Sequence, residues 1–412
     1  MNRKRAGNGF RQILALLGPG IAVAATGVGA GDMVTAAVAG ATYGTALLWA
    51  AILGALLKFI LNEGIARWQL ATGTTLLEGW AIRLHRGVSY YFIVYLILWS
   101  IIVAAALISA CGLAAYALFG GLSVAWWGII HSIAAVGLVA FGKYRLFETV
   151  MKGFIALMFV VILISAVLIR PDPVHLVSGL ILPRFPEEAT RFVLGVIGGV
   201  GGSVTILSYG YWIRERGWEG KENKFKINLD LGVAYFLTGL FGAAIMVVAA
   251  GTNPQLVTGN QMAIEVANRL QAVVGPAGRW IFLFGFWGAV FSSMIGVWQG
   301  VPYLFADFMQ LRQKQQPGPV STSSRYYRLF LLFLAFPPML ILLFGRPVWV
   351  VITYSITGAL FMPFLALTLL YMNNQAKWVG SLKNRWSINI LLLLSLMLFA
   401  YLGVNQFLQA LK

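Results

Sequence analysis

Residues 27–32 read Gly27-Val28-Gly29-Ala30-Gly31-Asp32. Three glycines at alternate positions lead into an acid, in the middle of an apolar run from about residue 13 to 41. Glycine at this density weakens a helix. A carboxylate at bilayer depth costs several kcal/mol unless it is solvated or paired. Both features fit a helix that unwinds here, so that its backbone lines a site. Non-helical backbone at membrane depth is tolerated where it faces protein or a water-filled cavity, and such breaks hold substrate in secondary transporters. A glycine-rich packing face is the alternative for the glycines, but packing does not call for the acid.

A second cluster, Gly198-Gly199-Val200-Gly201-Gly202-Ser203, follows about 170 residues later, with Thr205, Ser208 and Tyr209 behind it. It predicts a second broken helix. Between the two lies Lys58, roughly 20 Å along its own helix from Thr45 at 1.5 Å per residue, and so near mid-membrane. Two readings stay open: a lysine paired within the bundle, or a fixed cation in or beside the site, opposite Asp32. Glu63 and Arg67 are spaced to pair on one helix face, and Arg67 is expected to snorkel toward the helix end. His131 follows Trp126 and Trp127 and reads as a packing residue. Asp230 reads as interfacial, and Ser292 and Ser293 sit in an apolar helix.

These residues must be carried by membrane-spanning helices. The chain has 412 residues, 59% hydrophobic and 10% charged, with a mean hydropathy of +0.82. No soluble globule of this size has that balance. At about 20 residues per span, the expected helices are 13–41, 45–71, 89–118, 122–141, 146–169, 191–213, 227–250, 277–308, 326–344, 347–371 and 387–409. All are too long and apolar for barrel strands. The fold class is therefore an all-α integral membrane protein of about eleven helices. The two breaks each fall in the first of five successive spans, which suggests a 5+5 inverted repeat: about 13–169 and 191–371, with an extra helix at 387–409. Residues 1–412 read as a single transporter domain.

The net charge of +17 is topological. With the N-terminus inside, 20 lysines and arginines fall in cytoplasmic segments and 7 on the opposite side, the asymmetry of the positive-inside rule. This excludes a nucleic-acid footprint and predicts a multi-pass inner or plasma membrane protein with a cytoplasmic N-terminus and an external C-terminus. Segment 170–190 should be an external loop, and 311–325 a cytoplasmic linker. The basic start resembles a signal peptide, but the apolar run is too long and ten spans follow. A single cysteine, Cys111, leaves no intrachain disulfide and no Cys/His metal cluster. No HExxH, phosphate loop or nucleophile–base pair is present, so neither an enzyme nor a cofactor is expected. The expected partners are the lipid bilayer and a small-molecule or ion substrate.

The chain resembles the NRAMP family of divalent-metal transporters, which have a LeuT-like fold. The resemblance rests on Gly18-Pro19-Gly20, Gly31-x-x-x-Thr35, the YGxxLLW run at 43–49, LATGTTLLE at 70–78, Ser292-Ser293, Asp307-Phe308, RYYRL at 325–329 and Met362-Pro363-Phe364. It implies first and sixth helices broken at the substrate site, and ion-coupled symport of a divalent metal. The departures fall on the chemistry. The family's Asp-Pro-Gly-Asn aligns with Gly29-Ala30-Gly31-Asp32, and its Met-Pro-His with Gly201, Gly202 and Ser203. Acids along the family's third helix fall on Ser100, Ala106 and Ser109, and a glutamine of the tenth on Ser355. The implied substrate-binding set is Gly29, Gly31, Asp32, Gly201, Gly202, Ser203 and Ser355, with Asp32 and Lys58 as a charge pair and Asp32 the one candidate metal ligand. Loss of the thioether and imidazole leaves oxygen donors, which favour hard ions. The added glycines are expected to enlarge the cavity, enough for an organic solute. The reading is thus a secondary transporter moving a cation through a non-standard site. A same-fold carrier of an amino acid or carboxylate, or a non-transporting sensor, is the alternative.

Overall fold

The computed structural model describes residues 18–27, 29–141, 144–186, 189–257, 261–314 and 318–410. The expected cytoplasmic N-terminal segment and the C-terminal Lys412 lie outside these residues. The described residues form helices and turns, with no strands among them. Among the described residues, nine helices are long and apolar enough to cross a membrane, and one further pair, Pro19–Gly27 and Gly31–Tyr43, forms a span bent by 44°. The 25-residue helix Tyr144–Leu168 fills the place of the fifth expected span. The described residues thus give nine to ten of the expected spans by length and apolarity, with a helix at the place of the fifth.

The first span is α1 (Pro19–Gly27) and α2 (Gly31–Tyr43). The second is α3 (Leu48–Thr72), and the third is α4 (Arg86–Phe119). The sixth span is also divided, into α5 (Thr190–Gly199), a 3-10 turn at Val204–Leu207, and α6 (Ser208–Glu215). The seventh is α7 (Lys224–Ala249), the eighth α8 (Pro276–Lys314). In the tenth, α9 (Pro347–Ala359) gives way to α10 (Phe361–Met372). That junction lies just before Met362-Pro363-Phe364. Its cause is Pro363, whose ring opposes the carbonyl four residues back, at Ala359.

Burial separates the layers. The sixth span is wholly enclosed, whereas the fourth and eleventh bury only 22% of their apolar windows and lie at the periphery. The broken spans therefore form the centre, wrapped by the rest. Segment 170–190 contains the short helix Pro173–Ile181, started by the Asp172 side chain on the Val174 amide. The Val174 amide and the neighbouring His175 hold the exposed Asp172 carboxyl below its ordinary range.

Candidate functional site

In the first span, α1 stops at Gly27, and the chain resumes as a π-helical turn over Gly31–Thr35 before α-helix continues from Ala36. π-Turns within helices recur at functional sites, and this one carries Asp32. The last carbonyls of a half-helix lack intrahelical donors. The eighth span supplies them: Ser293 Oγ donates to Thr26 O at 2.6 Å, and Ser292 Oγ reaches Ala25 O at 3.4 Å. A Cβ at Gly29 would strike the Ser293 side chain.

The sixth span breaks because Val200 turns extended and Gly201 and Gly202 follow at φ +75° and +80°, a region that favours glycine. The two breaks touch. A Cβ at Gly27 would collide with the backbone of Gly201 and Gly202, and one at Gly201 would lie 2.6 Å from the Tyr235 ring. A Cβ on Gly31 would come within 3.1 Å of Ser355 Oγ. The expected enlargement of a cavity is therefore not what these glycines provide. They allow two backbones to meet.

Lys58 is fully buried. Its ammonium donates to the carbonyls of Gly198 at 2.9 Å, Val200 at 3.0 Å, and Gly202. An ammonium has three donors, and all three are used. The group also lies at the C-terminus of α5, where the helix dipole favours a cation. The expected direct pair with Asp32 is not formed; the two charges act on each other through space. The three donors of the ammonium are instead taken by carbonyls that the unwinding of the sixth span frees.

Asp32 is 1% exposed, and neither carboxylate oxygen closes a hydrogen bond to a protein group. The Gly201 amide faces it. Tyr354 from α9 lies within electrostatic reach of Asp32, with its hydroxyl against Ser203. Ser355 Oγ donates to Val351 O at 3.2 Å and meets Thr35 Oγ1 at 3.0 Å, which fastens α2 to α9. The structure thus brings Gly31, Asp32, Gly201, Gly202, Ser203 and Ser355 together, with Gly29 packed behind against α8. Among the described residues, no group of three His, Cys, Asp or Glu side chains is placed to hold a metal. The donors present are oxygens.

Several residues do other work than the sequence suggests. Asp230 is buried within the bundle near the start of α7. Its carboxylate accepts from the Gly18 and Gly20 amides at 3.1 and 2.5 Å and from the Tyr209 hydroxyl at 3.1 Å, so it caps α1 from the seventh span. Arg67 pairs with Glu63 at 3.0 Å as expected, but it is 3% exposed and does not snorkel. His131 accepts from Trp287 Nε1 and contacts Trp127 O, both at 2.8 Å, a packing role. Tyr354 is the site residue that sequence reasoning passed over; its only signal was its place beside Ser355. Tyr235, the wall against Gly201 and acceptor for Asn62 at 3.1 Å, carried no signal.

The family profile for Nramp, described as natural resistance-associated macrophage protein-like, matches residues 20–409. The chain belongs to this family. A Nramp relative, the divalent metal cation transporter MntH of Bacillus subtilis, is 24% identical over 95% of this chain and 92% of its own length. That of Deinococcus radiodurans is 25% identical over 71% and 69%. A mutant of the manganese transporter from Eremococcus coleocola has the same fold, with a TM-score of 0.78 at 16% identity over 96% of this chain and 87% of its own. A wider likeness reaches MhsT in complex with L-phenylalanine, at TM-score 0.53 and 15% identity over 92% and 97% of the two chains. The Nramp fold here is therefore LeuT-like, with its first and sixth helices broken.

Proposed function

We propose that this Nramp protein is a secondary transporter that moves a hard, oxygen-bound cation, divalent by its family, by alternating access past Asp32. The observation that carries the reading is the Asp32 carboxylate itself: buried at the junction of two broken helices, with the Gly201 amide facing it and no side chain donating to either oxygen. A buried carboxylate left so is costly, and a cationic ligand removes that cost. Asp32, the Ser203 and Tyr354 hydroxyls and nearby carbonyls form an oxygen set, which suits a hard and partly hydrated ion. The relatives described as divalent metal cation transporters support the same substrate class.

Lys58 bears on the alternative. A carrier of organic anions can hold a carboxylate with a fixed cation or with half-helix N-termini. The Lys58 ammonium has no donor left after its three carbonyls, so the first of these is taken and an organic anion would rest on the helix ends alone. In this reading the halves 13–169 and 191–371 rock about the site, with the N-terminus cytoplasmic.

Uptake into proteoliposomes tests the proposal. Magnesium or manganese should enter with the wild type and not with Asp32→Asn. Uptake of an amino acid or carboxylate without either metal would replace the cation reading. Saturable binding with no uptake of any substrate would make the protein a sensor.

A further inference from the structure

Far from Asp32, at the end of the third span, a cavity of about 420 Å³ opens between the start of α4 and the last turns of α8. Arg86, Ser89 and Tyr90 line one side, and Phe308 and Arg312 the other, with Ile82 at the rim. No acid lines it. Arg312 lies over the Tyr90 ring at 5.1 Å, and neither arginine has an ion-pair partner among the described residues. Ser89 is 5% exposed, yet its hydroxyl has no hydrogen-bond partner. The cavity lining thus offers two guanidinium groups and one buried hydroxyl with no protein partner, donors that suit an anionic acceptor.

We propose that this cavity binds the phosphate headgroup of an anionic phospholipid. Guanidinium groups match phosphate oxygens in geometry and charge, and the Ser89 hydroxyl supplies one more donor. The surroundings favour a lipid over soluble phosphate. Arg86, Tyr90, Val94 and Leu98 recur at four-residue spacing along α4, on one face that drifts slowly around the helix. Val94 is 57% and Leu98 59% exposed. An apolar track therefore rises into the bilayer directly from the basic pocket, as an acyl chain requires. The pocket also sits at the arginine-rich end of the bundle, where basic sites between spans meet anionic headgroups.

Thermal unfolding of the purified full-length protein tests this, with short-chain phosphatidylglycerol, phosphatidylcholine or inorganic phosphate added to the detergent. Phosphatidylglycerol should raise the melting temperature several degrees above phosphatidylcholine in the wild type. The double variant Arg86→Gln, Arg312→Gln should lose that difference while melting like the wild type in phosphatidylcholine. If the double variant does not fold, Arg312→Gln alone should lose at least half of the difference. Arg325→Gln, on the same end but outside the cavity, should keep it. An undiminished shift in the cavity variants would overturn the proposal, and so would an equal shift from inorganic phosphate, which would assign the pocket to a soluble anion.

Discussion

The Lys58 ammonium donates to the Gly198 carbonyl across 2.9 Å, joining the second span to the last turn of the sixth span's first half. With Val200 O and Gly202 O it completes a cap over the helix end. A fixed cation here does structural work for the break. Lys58→Met should leave three buried carbonyls without a donor, at about 1–3 kcal/mol each. Its melting temperature should fall further than that of Asp32→Asn, and ethylammonium should restore part of the loss. A Lys58→Met protein as stable as the wild type would show that the carbonyls find other partners.

The contact between breaks makes a second prediction. Gly27→Ala directs a methyl group into the backbone of Gly201 and Gly202. Backbone cannot retract as a flexible side chain can, so the two half-helices must separate. A loss of about 1–3 kcal/mol is expected, as for overpacking in a well-filled core. Gly137→Ala, where a Cβ meets open space, is the control and should melt close to the wild type.

At the arginine-rich end of the bundle, Arg214 of α6 pairs at 2.8 Å with Glu78, which is fully buried. Asp307 accepts from Tyr211 at 2.5 Å and from Thr75 at 3.0 Å beside it. Arg214→Met should leave a buried acid uncompensated, at a cost of about 3 kcal/mol or more. Adding Glu78→Gln should recover much of it. Equal melting temperatures for the single and double variants would mean that the pair is not the source of the effect.

The charge asymmetry predicts orientation. In a Cys111→Ala background, Ser321→Cys should react with a membrane-impermeant thiol reagent only from the cytoplasmic side, and Val177→Cys only from outside. Both positions are exposed. The reverse pattern would invert the proposed topology.

The spans and both breaks were legible because apolar length and glycine density are local properties of the chain. Ser203 and Ser355 also reach the site from their sequence positions. What could not be read was partnership between distant residues. Nothing in the place of Asp230 at a helix start shows that it caps α1 from 210 residues away. Lys58 and Asp32 look like a pair by depth, yet depth says nothing of which way a long side chain turns. The glycines signal a break in either case; whether they open space or close it depends on the backbone opposite, and Gly27 against Gly201 closes it.

The central claim is that Asp32 is the open charge of the site and Lys58 is not. Isothermal titration of manganese and magnesium into the purified wild type and Asp32→Asn tests it most directly. One of the two ions should bind the wild type saturably, and Asp32→Asn should weaken it at least tenfold, about 1.4 kcal/mol, while keeping its fold. Saturable binding of equal affinity in both proteins, or none in the wild type, would contradict the account.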